Sequence, residues 1–361
     1  MKTYYLRVAP VGLALLILVI LLLLTSCDDD NNHAPAPELT FKKIGLDNLK
    51  VYELVLFGDD SLFAATSDGI YVKTIKSSTP FAEVGLKGRN VLDLIVFTPE
   101  HIIATTGNRG ATADNPGIHE TFNGGTSWDK SIFGDENNEE AAHSLSQHPT
   151  NKNIVYATGN AVVAKSVDYG QNWEPIWGDW GGFASGTAVA EINPLKLTDL
   201  WYGGQGGIEN GYLGYLRDER PEEQWDDLVD NPTVVVEVAF TNQGAQNIFV
   251  GFEGALMKTS NNGGDWEQVI DGHVNGLRFF YGIGKSDESE NHVYAGGWLK
   301  GEEQQSLVLY RSQDSGDTWE SKTFDDEQSG GIFTMKVVSD GSRDKVFVGL
   351  DGGGVYEIEV M

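Results

Sequence analysis

Short apolar segments recur along this chain, and each ends in a small or β-branched residue before a second strand-like stretch begins. The seven copies are LFAAT (62–66), IIAT (102–105), IVYAT (154–158), LWYGG (200–204), IFVG (248–251), VYAGG (293–297) and VFVGL (346–350). When Ala65, Thr105, Thr158, Gly203, Gly251, Gly296 and Gly349 are taken as equivalent, the intervals are 40, 53, 45, 48, 45 and 53 residues. This spacing is typical of four-stranded propeller blades and predicts an all-β fold.

The last repeat contains only three predicted strands, at 332–338, 345–350 and 354–360. The segment FKKIG at 41–45 repeats the pattern of FAEVG at 81–85, which is the outer strand of the first repeat. We therefore expect the strand at 39–45 to complete the last blade, since this pairing leaves no open sheet edge. The sequence predicts a single seven-bladed β-propeller over 39–361, with four antiparallel strands in each blade.

The first residues resemble a targeting segment rather than part of the fold. Lys2 and Arg7 precede an apolar or glycine stretch at 11–24 that is shorter than the roughly 20 residues of a membrane-spanning helix. Leu24-Thr25-Ser26-Cys27 resembles the lipobox of bacterial lipoproteins, and Cys27 is the sole cysteine. This resemblance implies a signal peptide (1–26), a lipid on Cys27 and an acidic, proline-rich tether (27–38). An uncleaved membrane anchor is the alternative.

The resemblance to lipoproteins predicts a place in the bacterial cell envelope, with the membrane reached through the lipid on Cys27. The acidic run that follows this cysteine is similar to the surface-export signal of some outer-membrane lipoproteins, whereas in enteric bacteria it indicates inner-membrane retention. Removing 1–26 leaves 23 basic and 53 acidic residues, a net charge of −30. A surface of this sign disfavours nucleic acid and anionic lipid, and it favours cations or basic partners; solubility alone is the other interpretation.

A sharper motif, SxDxGxxW, lies between the predicted third and fourth strands of two repeats. Four positions define each copy: Ser166, Asp168, Gly170 and Trp173 in one, and Ser312, Asp314, Gly316 and Trp319 in the other. TFNGGTSW (121–128) is a conservative variant, and SNNGGDW, from Ser260 to Trp266, is one residue short. The motif resembles the Asp-box, or bacterial neuraminidase repeat. In families that carry it, the box has a structural role in a hairpin away from the active face.

The Asp-box resemblance covers 39–361 but extends over unlike functions. Sialidases have six blades and three arginines for a substrate carboxylate, an arrangement that this sequence lacks. Xyloglucan-type endoglucanases contain two facing seven-bladed propellers, and sortilin-type propellers have ten blades and disulfides. In size and blade number the chain is most similar to the photosystem II assembly-factor type, a single ring that binds partner proteins.

Two groups of residues are candidates for a functional site. Trp298 and Arg109 lie in long predicted loops, and Trp180 lies in a predicted connection between blades. The tryptophans could bind a protein or glycan, and Arg109 could pair with an anionic group; blade packing for the tryptophans and solvation for the arginine are the alternatives. Glu53 and Asp93 occupy matching positions in predicted inner strands, and His143 aligns with them if Pro99 and Pro149 are equivalent. These three could act in acid–base catalysis or bind a cation, or could simply line a hydrated channel.

Two functions remain open at this point. The first is a binding or assembly module for a protein or glycan, and the second is a carbohydrate-active enzyme, either a glycoside hydrolase or a polysaccharide lyase. The sequence contains no nucleophile motif, phosphate loop, calcium loop or clustered histidines. We therefore expect no metal and no cofactor.

Overall fold

Seven sheets, each of four antiparallel strands, form a ring. The computed structural model describes residues 39–107, 116–135, 139–182, 186–241, 244, 246–274, 276–302, 304–325, 330–341 and 343–360. The predicted signal segment, the tether, Cys27 and Arg109 lie outside these ranges. Among the described residues, no helix has the length and apolar character needed to cross a membrane.

Each blade runs outward from an inner strand, in chain order. Blade 1 contains β2 (Val51–Phe57), β3 (Ser61–Thr66), β4 (Gly69–Thr74) and β5 (Ala82–Gly85); blade 2 contains β6 (Val91–Val96), β7 (Ile102–Thr106), β8 (Gly117–Thr121) and β9 (Asp129–Ser131). Blade 3 contains β10 (Ser144–Gln147), β11 (Val155–Thr158), β12 (Val162–Ser166) and β13 (Glu174–Gly178); blade 4 contains β14 (Thr187–Ile192), β15 (Asp199–Gln205), β16 (Gly211–Arg217) and β17 (Arg220–Trp225).

The remaining blades follow the same order until the ring closes. Blade 5 contains β18 (Val235–Phe240), β19 (Ile248–Phe252), β20 (Ala255–Thr259) and β21 (Glu267–Asp271); blade 6 contains β22 (Arg278–Lys285), β23 (Val293–Leu299), β24 (Leu307–Ser312) and β25 (Glu320–Phe324). Blade 7 contains β26 (Ile332–Ser339), β27 (Asp344–Leu350), β28 (Gly354–Val360) and, as its outer strand, β1 (Leu39–Gly45).

The predicted closure by the N-terminal strand is confirmed. β1 pairs antiparallel with β28 along its length, from Leu39 opposite Val360 to Gly45 opposite Val355. The half-buried ring of Phe41 stacks on Phe324 of the neighbouring blade at 4.8 Å between centroids. The outer strand β1 is therefore held to its own sheet by main-chain hydrogen bonds with β28 and to blade 6 by the aromatic contact with Phe324.

The recurrent small residue of each repeat lies where neighbouring blades approach most closely. A Cβ atom added to Gly251 would lie 1.9 Å from the carbonyl oxygen of Phe280, and one added to Gly349 would lie 2.6 Å from a methyl of Val51. Because backbone cannot move aside at such distances, only a glycine fits at 251. Apolar clusters fill the space between adjacent sheets, so the core is a series of layers around the ring.

The antiparallel order gives the ring two different faces. Each inner strand begins at the face that also carries the turn between the second and third strands, which we call the mouth face. The turn between the third and outer strands lies at the opposite end of the blade, which we call the box face because the SxDxGxxW motifs occur there.

Candidate functional site

The inner strands place two rings of side chains in the central channel. Six of the seven inner strands, all except β10, contain a register shift, which adds a residue and re-aims the next side chain. The upper ring consists of Glu53, Asp93, Ser144, Val189, Glu237, Gly282 and Thr334, which pair with the seven anchor residues of the repeat. The lower ring, two residues further along each strand, consists of Val55, Ile95, Ser146, Glu191, Ala239, Gly284 and Lys336.

Two upper-ring side chains, those of Asp93 and Thr334, accept hydrogen bonds from the backbone of the next blade. Asp93 accepts hydrogen bonds from the backbone N–H groups of Leu94 and Leu145, each at 2.7 Å. Thr334 accepts from the N–H of Leu54 at 3.2 Å. An inner strand is the edge of its sheet, so its outward N–H groups need partners that the ladder does not supply. Asp93 therefore has a structural role, although burial and then the nearby Glu53 charge raise the pKa of its carboxyl well above the ordinary value.

Glu53 spans the seam between the first and last blades. One of its carboxylate oxygens accepts a hydrogen bond from Thr334 Oγ1 at 3.0 Å, and the other lies 3.0 Å from Lys336 Nζ. Proximity of the Glu53 charge raises the pKa of Lys336, so this lysine stays protonated. One of the channel carboxylates is thus neutralised within the protein.

Two further carboxyl groups, one in the lower ring and one in the upper ring, are less completely satisfied. Glu191 accepts one hydrogen bond, from Ser146 Oγ at 2.9 Å, and burial raises its pKa to about 7. Burial, followed by the charges of Glu53 and Glu191, raises the pKa of Glu237 well above its ordinary value. Glu237 makes no hydrogen bond or ion pair within the described part of the chain.

The predicted alignment of His143 with Glu53 and Asp93 is shifted by one residue. Ser144 pairs with Thr158, so Ser144 occupies the ring position, and His143 lies just before it while still lining the channel. The turn between inner and second strands spans 148–154 in blade 3 but only 97–101 in blade 2, so the prolines in these turns are not equivalent. Among the described residues, no three His, Cys, Asp or Glu side chains are grouped as metal ligands.

Four half-buried aromatic side chains and the buried ring of Phe279 cluster on one side of the channel mouth. Trp298 lies 5.4 Å from the Phe279 ring and 6.2 Å from the Phe333 ring, and its Nε1 is buried without a hydrogen-bond partner among the described residues. Tyr281 meets Phe333 edge to face at 5.2 Å, and Tyr52 stacks on Phe333 at 6.0 Å. These five residues, which we call the aromatic rim, lie at the beginnings of inner strands and at the end of β23.

Trp180, the second tryptophan predicted for a ligand face, is half-buried. Its ring lies edge to face with buried Phe133, 4.9 Å away, beside Trp173 and the core between blades 2 and 3. This contact favours blade packing as its role. Arg109, the third candidate, falls outside the described residues.

The box hairpins share one hydrogen-bond arrangement. Ser166 Oγ donates to Asp168 at 2.7 Å and accepts from the N–H of Gly170 at 2.8 Å, while Asp168 accepts from the N–H of Asn172 at 2.9 Å. Trp173 Nε1 donates to the Gly170 carbonyl at 2.9 Å. The hairpin with Ser312, Asp314, Gly316, Thr318 and Trp319 repeats these contacts. The hydroxyl, carboxylate and indole are all used within the turn.

The fourth copy of the motif begins one residue earlier than the sequence pattern suggested. Thr259 Oγ1 donates to Asn261 at 2.9 Å and accepts from the N–H of Gly263 at 2.9 Å. The frame from Thr259 to Trp266 is therefore full length, and the apparently short frame from Ser260 is wrong. Threonine and asparagine replace serine and aspartate here, as they do in the copy at 121–128.

The sequence contains a signal for the channel position of Glu237, although only Glu53 and Asp93 were matched from it. Val235-Val236-Glu237 repeats the apolar-apolar-acid start of Val51-Tyr52-Glu53 and Val91-Leu92-Asp93. Glu191 and Lys336 lack such a signal, since each is a single charged residue within an otherwise ordinary strand. Their convergence depends on the ring geometry.

Comparisons with known proteins identify the fold. No protein-family profile matches the chain, and no curated protein matches it. Solved structures match with low identity: the GH74 xyloglucanase from Xanthomonas campestris (TM-score 0.64, 13% identity, 88% of this chain, 53% of that chain) and streptogramin B lyase (0.64, 13%, 90%, 98%). YCF48, the photosystem II assembly factor, bound to a D1 peptide, matches with a TM-score of 0.61 and 12% identity over 91% of this chain and 99% of that chain.

The chain spans about half the length of the xyloglucanase that it resembles. The three neighbours share an architecture with this protein but carry different names and functions, and identities of 12 to 13% do not transfer any of them. The comparisons therefore establish a seven-bladed propeller of the kind found in glycoside hydrolases and assembly factors.

Proposed function

We propose that this protein is a binding module that receives a partner polypeptide on its mouth face. The observation that carries the proposal is the position of the aromatic rim beside an acidic channel. Half-buried aromatic side chains next to a cavity are the residue type that most often dominates binding energy at protein interfaces. The fold of YCF48, which binds a D1 peptide, offers a precedent for this use of a single propeller.

The size of the channel favours a polypeptide side chain over a glycan chain as its occupant. The cavity at the mouth measures about 290 Å³, at the lower end of the roughly 300–1,000 Å³ of small-ligand pockets. A single extended side chain fits such a space, whereas an oligosaccharide would need a longer cleft. A glycan partner would then be restricted to the aromatic rim.

Site-specific photo-crosslinking tests this proposal. Tyr281→p-benzoylphenylalanine places the probe on the aromatic rim, and Phe122→p-benzoylphenylalanine places it on the box face, where Phe122 is 56% exposed. With full-length chain in its native host, we expect a discrete protein adduct from position 281 and none from position 122. Equal adducts from both positions, or none from position 281, would contradict the proposal.

A second candidate function, glycoside hydrolysis, rests on Glu191. A carboxyl group whose pKa is raised to about 7 by burial has the property required of a general acid. A panel of polysaccharides incubated with the full chain and with Glu191→Gln distinguishes this candidate. Hydrolysis by the natural chain that Glu191→Gln abolishes would establish the enzyme in place of the binding module.

The proposed location is the bacterial cell envelope, with the chain held to a membrane by a lipid on Cys27. The support is the lipobox resemblance together with the absence of any other cysteine from the sequence. In a host that processes lipoproteins, Cys27→Ala should abolish fatty-acid labelling and leave an unprocessed precursor. Labelling that persists in the variant would overturn the anchor.

A further inference from the structure

Glu237 differs from the other channel carboxylates because it has neither a hydrogen-bond donor nor an ion-pair partner among the described residues. Asp93 accepts two backbone N–H groups, Glu53 accepts Thr334 and pairs with Lys336, and Glu191 accepts Ser146. Glu237 lines the same cavity without a hydrogen bond or ion pair. Protein surrounds this side chain, and the channel is the space that keeps it from complete burial.

The part of the channel next to the mouth has more acidic than basic groups. Its described lining includes four carboxyl groups, on Glu53, Asp93, Glu191 and Glu237, and one ammonium group, on Lys336. Lys336 pairs with Glu53 at the seam, and its charge reaches Glu191 and Glu237 only from a distance, opposing the rise in the pKa of each that burial causes. On the opposite side, formed by blades 4 and 5, the described residues therefore form no ion pair with either acid. A group entering from the mouth would meet Glu237 of the upper ring before Glu191 of the lower ring.

The walls between these carboxyl groups suit an aliphatic stem. Val55, Val189, Val236 and Ile283 contribute apolar surface to the cavity, and Tyr281 connects it to the aromatic rim. Lysine and arginine side chains combine an apolar stem with a charged end, so they bury the stem against such walls while the end meets an acid. Aromatic faces at the mouth also attract a cation as it enters.

We propose that the channel holds the ammonium or guanidinium group of a basic side chain from the partner polypeptide, with Glu237 and Glu191 as its direct ligands. This inference rests on the proposed binding function and names the chemistry that the mouth face recognises. Burial raises the pKa of both carboxyl groups, so in the empty channel each is more protonated than an exposed glutamate at the same pH. An entering cation makes ionisation favourable, so binding releases protons from Glu237 and Glu191 to solvent.

Binding of a single capped amino acid tests the site before any partner has been identified. The probes are Nα-acetyl-lysine methylamide and the isosteric Nα-acetyl-norleucine methylamide, measured by calorimetry on the full-length chain at physiological ionic strength. We expect the lysine probe to bind about tenfold more tightly than the norleucine probe, and Glu237→Gln to remove about that factor. Heat measured in buffers of different ionisation enthalpy should show proton release with the lysine probe only.

A matched variant separates a local contact from the overall charge of the protein. Glu223 is exposed on β17 and makes the same change in net charge when replaced, so Glu223→Gln should leave the affinity for the lysine probe unchanged. Glu191→Gln should weaken binding as Glu237→Gln does. Melting curves confirm that each variant is folded before its affinity is compared.

The outcomes that would overturn the inference are distinct from those that would overturn the binding function. If both capped probes bind equally, or if Glu223→Gln weakens binding as much as Glu237→Gln, the channel does not recognise a basic side chain. An adduct from position 281 would then still support a polypeptide partner on the aromatic rim. If spermidine binds and the capped lysine does not, the channel takes a free polyamine and the polypeptide source is wrong.

Discussion

The carboxyl groups of the box face and those of Glu191 and Glu237 in the channel have opposite properties. At the box face, hydrogen bonds from Thr318 lower the pKa of Asp314 to about 2, so its carboxylate is ionised and fully engaged by its own turn. In the channel, burial raises the pKa of Glu237 far above that of a free glutamate. The comparison teaches that hydrogen-bond donors from the same chain make an acidic residue structural, whereas an acid without donors is available for a ligand.

The two regions also differ in how they repeat. The box hairpin occurs four times with the same hydroxyl and carboxylate or amide contacts. Only in the two serine–aspartate copies does the tryptophan N–H donate to a backbone carbonyl. The indole N–H groups of Trp128 and Trp266 have no partner among the described residues. The channel has a different side chain in almost every blade. The contacts that repeat from blade to blade maintain the fold, whereas the candidate site consists of positions whose side chains differ between blades.

The largest expected effect is in the box region, at Trp173. Its side chain is 9% exposed, lies against Phe133 and donates to the Gly170 carbonyl. Trp173→Ala should lower the free energy of unfolding by about 3–5 kcal/mol, as for other large-to-small core changes. Denaturant unfolding measures this loss. As the control, Trp180→Ala removes a half-buried ring from the same cluster and should lower the free energy of unfolding by about half as much. Equal losses would show that the two rings are equally part of the core.

Closure of the ring by β1 should give the next largest effect. Phe41→Ala removes a half-buried ring that stacks on Phe324, and we expect a loss of about 2 kcal/mol in the free energy of unfolding. Thr40→Ala, at an exposed position of the same strand, is the control and should change stability little. A melting curve for Phe41→Ala that matches the natural chain would mean that the contact between blades 6 and 7 does not stabilise closure.

Removing a box carboxylate should have a smaller effect that depends on pH. Asp314→Ala deletes the acceptor for the Thr318 N–H and hydroxyl groups, and we expect a loss of about 1–2 kcal/mol near neutral pH. Because the folded pKa of Asp314 is lowered to about 2, its contribution is present above the unfolded pKa, near 4, and is lost as the pH falls towards 2. Unfolding measured from pH 7 downward should show the variant and the natural chain converging in acid.

Removing a channel carboxylate should act in the opposite direction. Glu191 faces Glu53, Glu237 and Lys336, and its folded pKa of about 7 exceeds that of an exposed glutamate. Its contribution to stability is therefore full below about pH 4.5 and is lost as the pH rises through 7. The free energy of unfolding of Glu191→Gln, relative to that of the natural chain, should therefore be higher at pH 8 than at pH 5. We expect a difference of about 1 kcal/mol, which allows for screening by solvent in the channel.

The same pH series contains its own control. Asp314→Ala and Glu191→Gln each remove one negative charge, so a general effect of net charge would move both variants in the same direction. The expected result is a change between about pH 4 and 2 for Asp314→Ala and a change of opposite sign between about pH 4.5 and 8 for Glu191→Gln. Parallel slopes would show that the channel carboxyl groups are as well solvated as those of the surface.

The architecture was predictable because local patterns determine it. The spacing of apolar segments indicated the number of blades, and the likeness of 41–45 to 81–85 indicated the partner of β28. Both signals lie within a few consecutive residues. The frame error at Ser260 arose because adjacent serine, asparagine and glycine residues allow two frames, and only the hydrogen bonds of Thr259 distinguish them.

The candidate site was less predictable because it depends on register across the ring. Glu53 and Asp93 were found by their similar surroundings, but His143 was misaligned because turn lengths differ between blades 2 and 3. Tyr281 and Phe333 reach the mouth because bulges displace their strands. Such shifts of one residue leave little trace in composition or periodicity.

The pairing of β1 with β28 also sets the order in which the domain can be completed during synthesis. Leu39 is translated early, yet its partner Val360 follows 321 positions later. Until that last strand has left the ribosome, β1 has an exposed edge that can pair with other chains. Contacts so distant in sequence slow folding, so maturation of this ring should end with one late event that joins the first strand to the last.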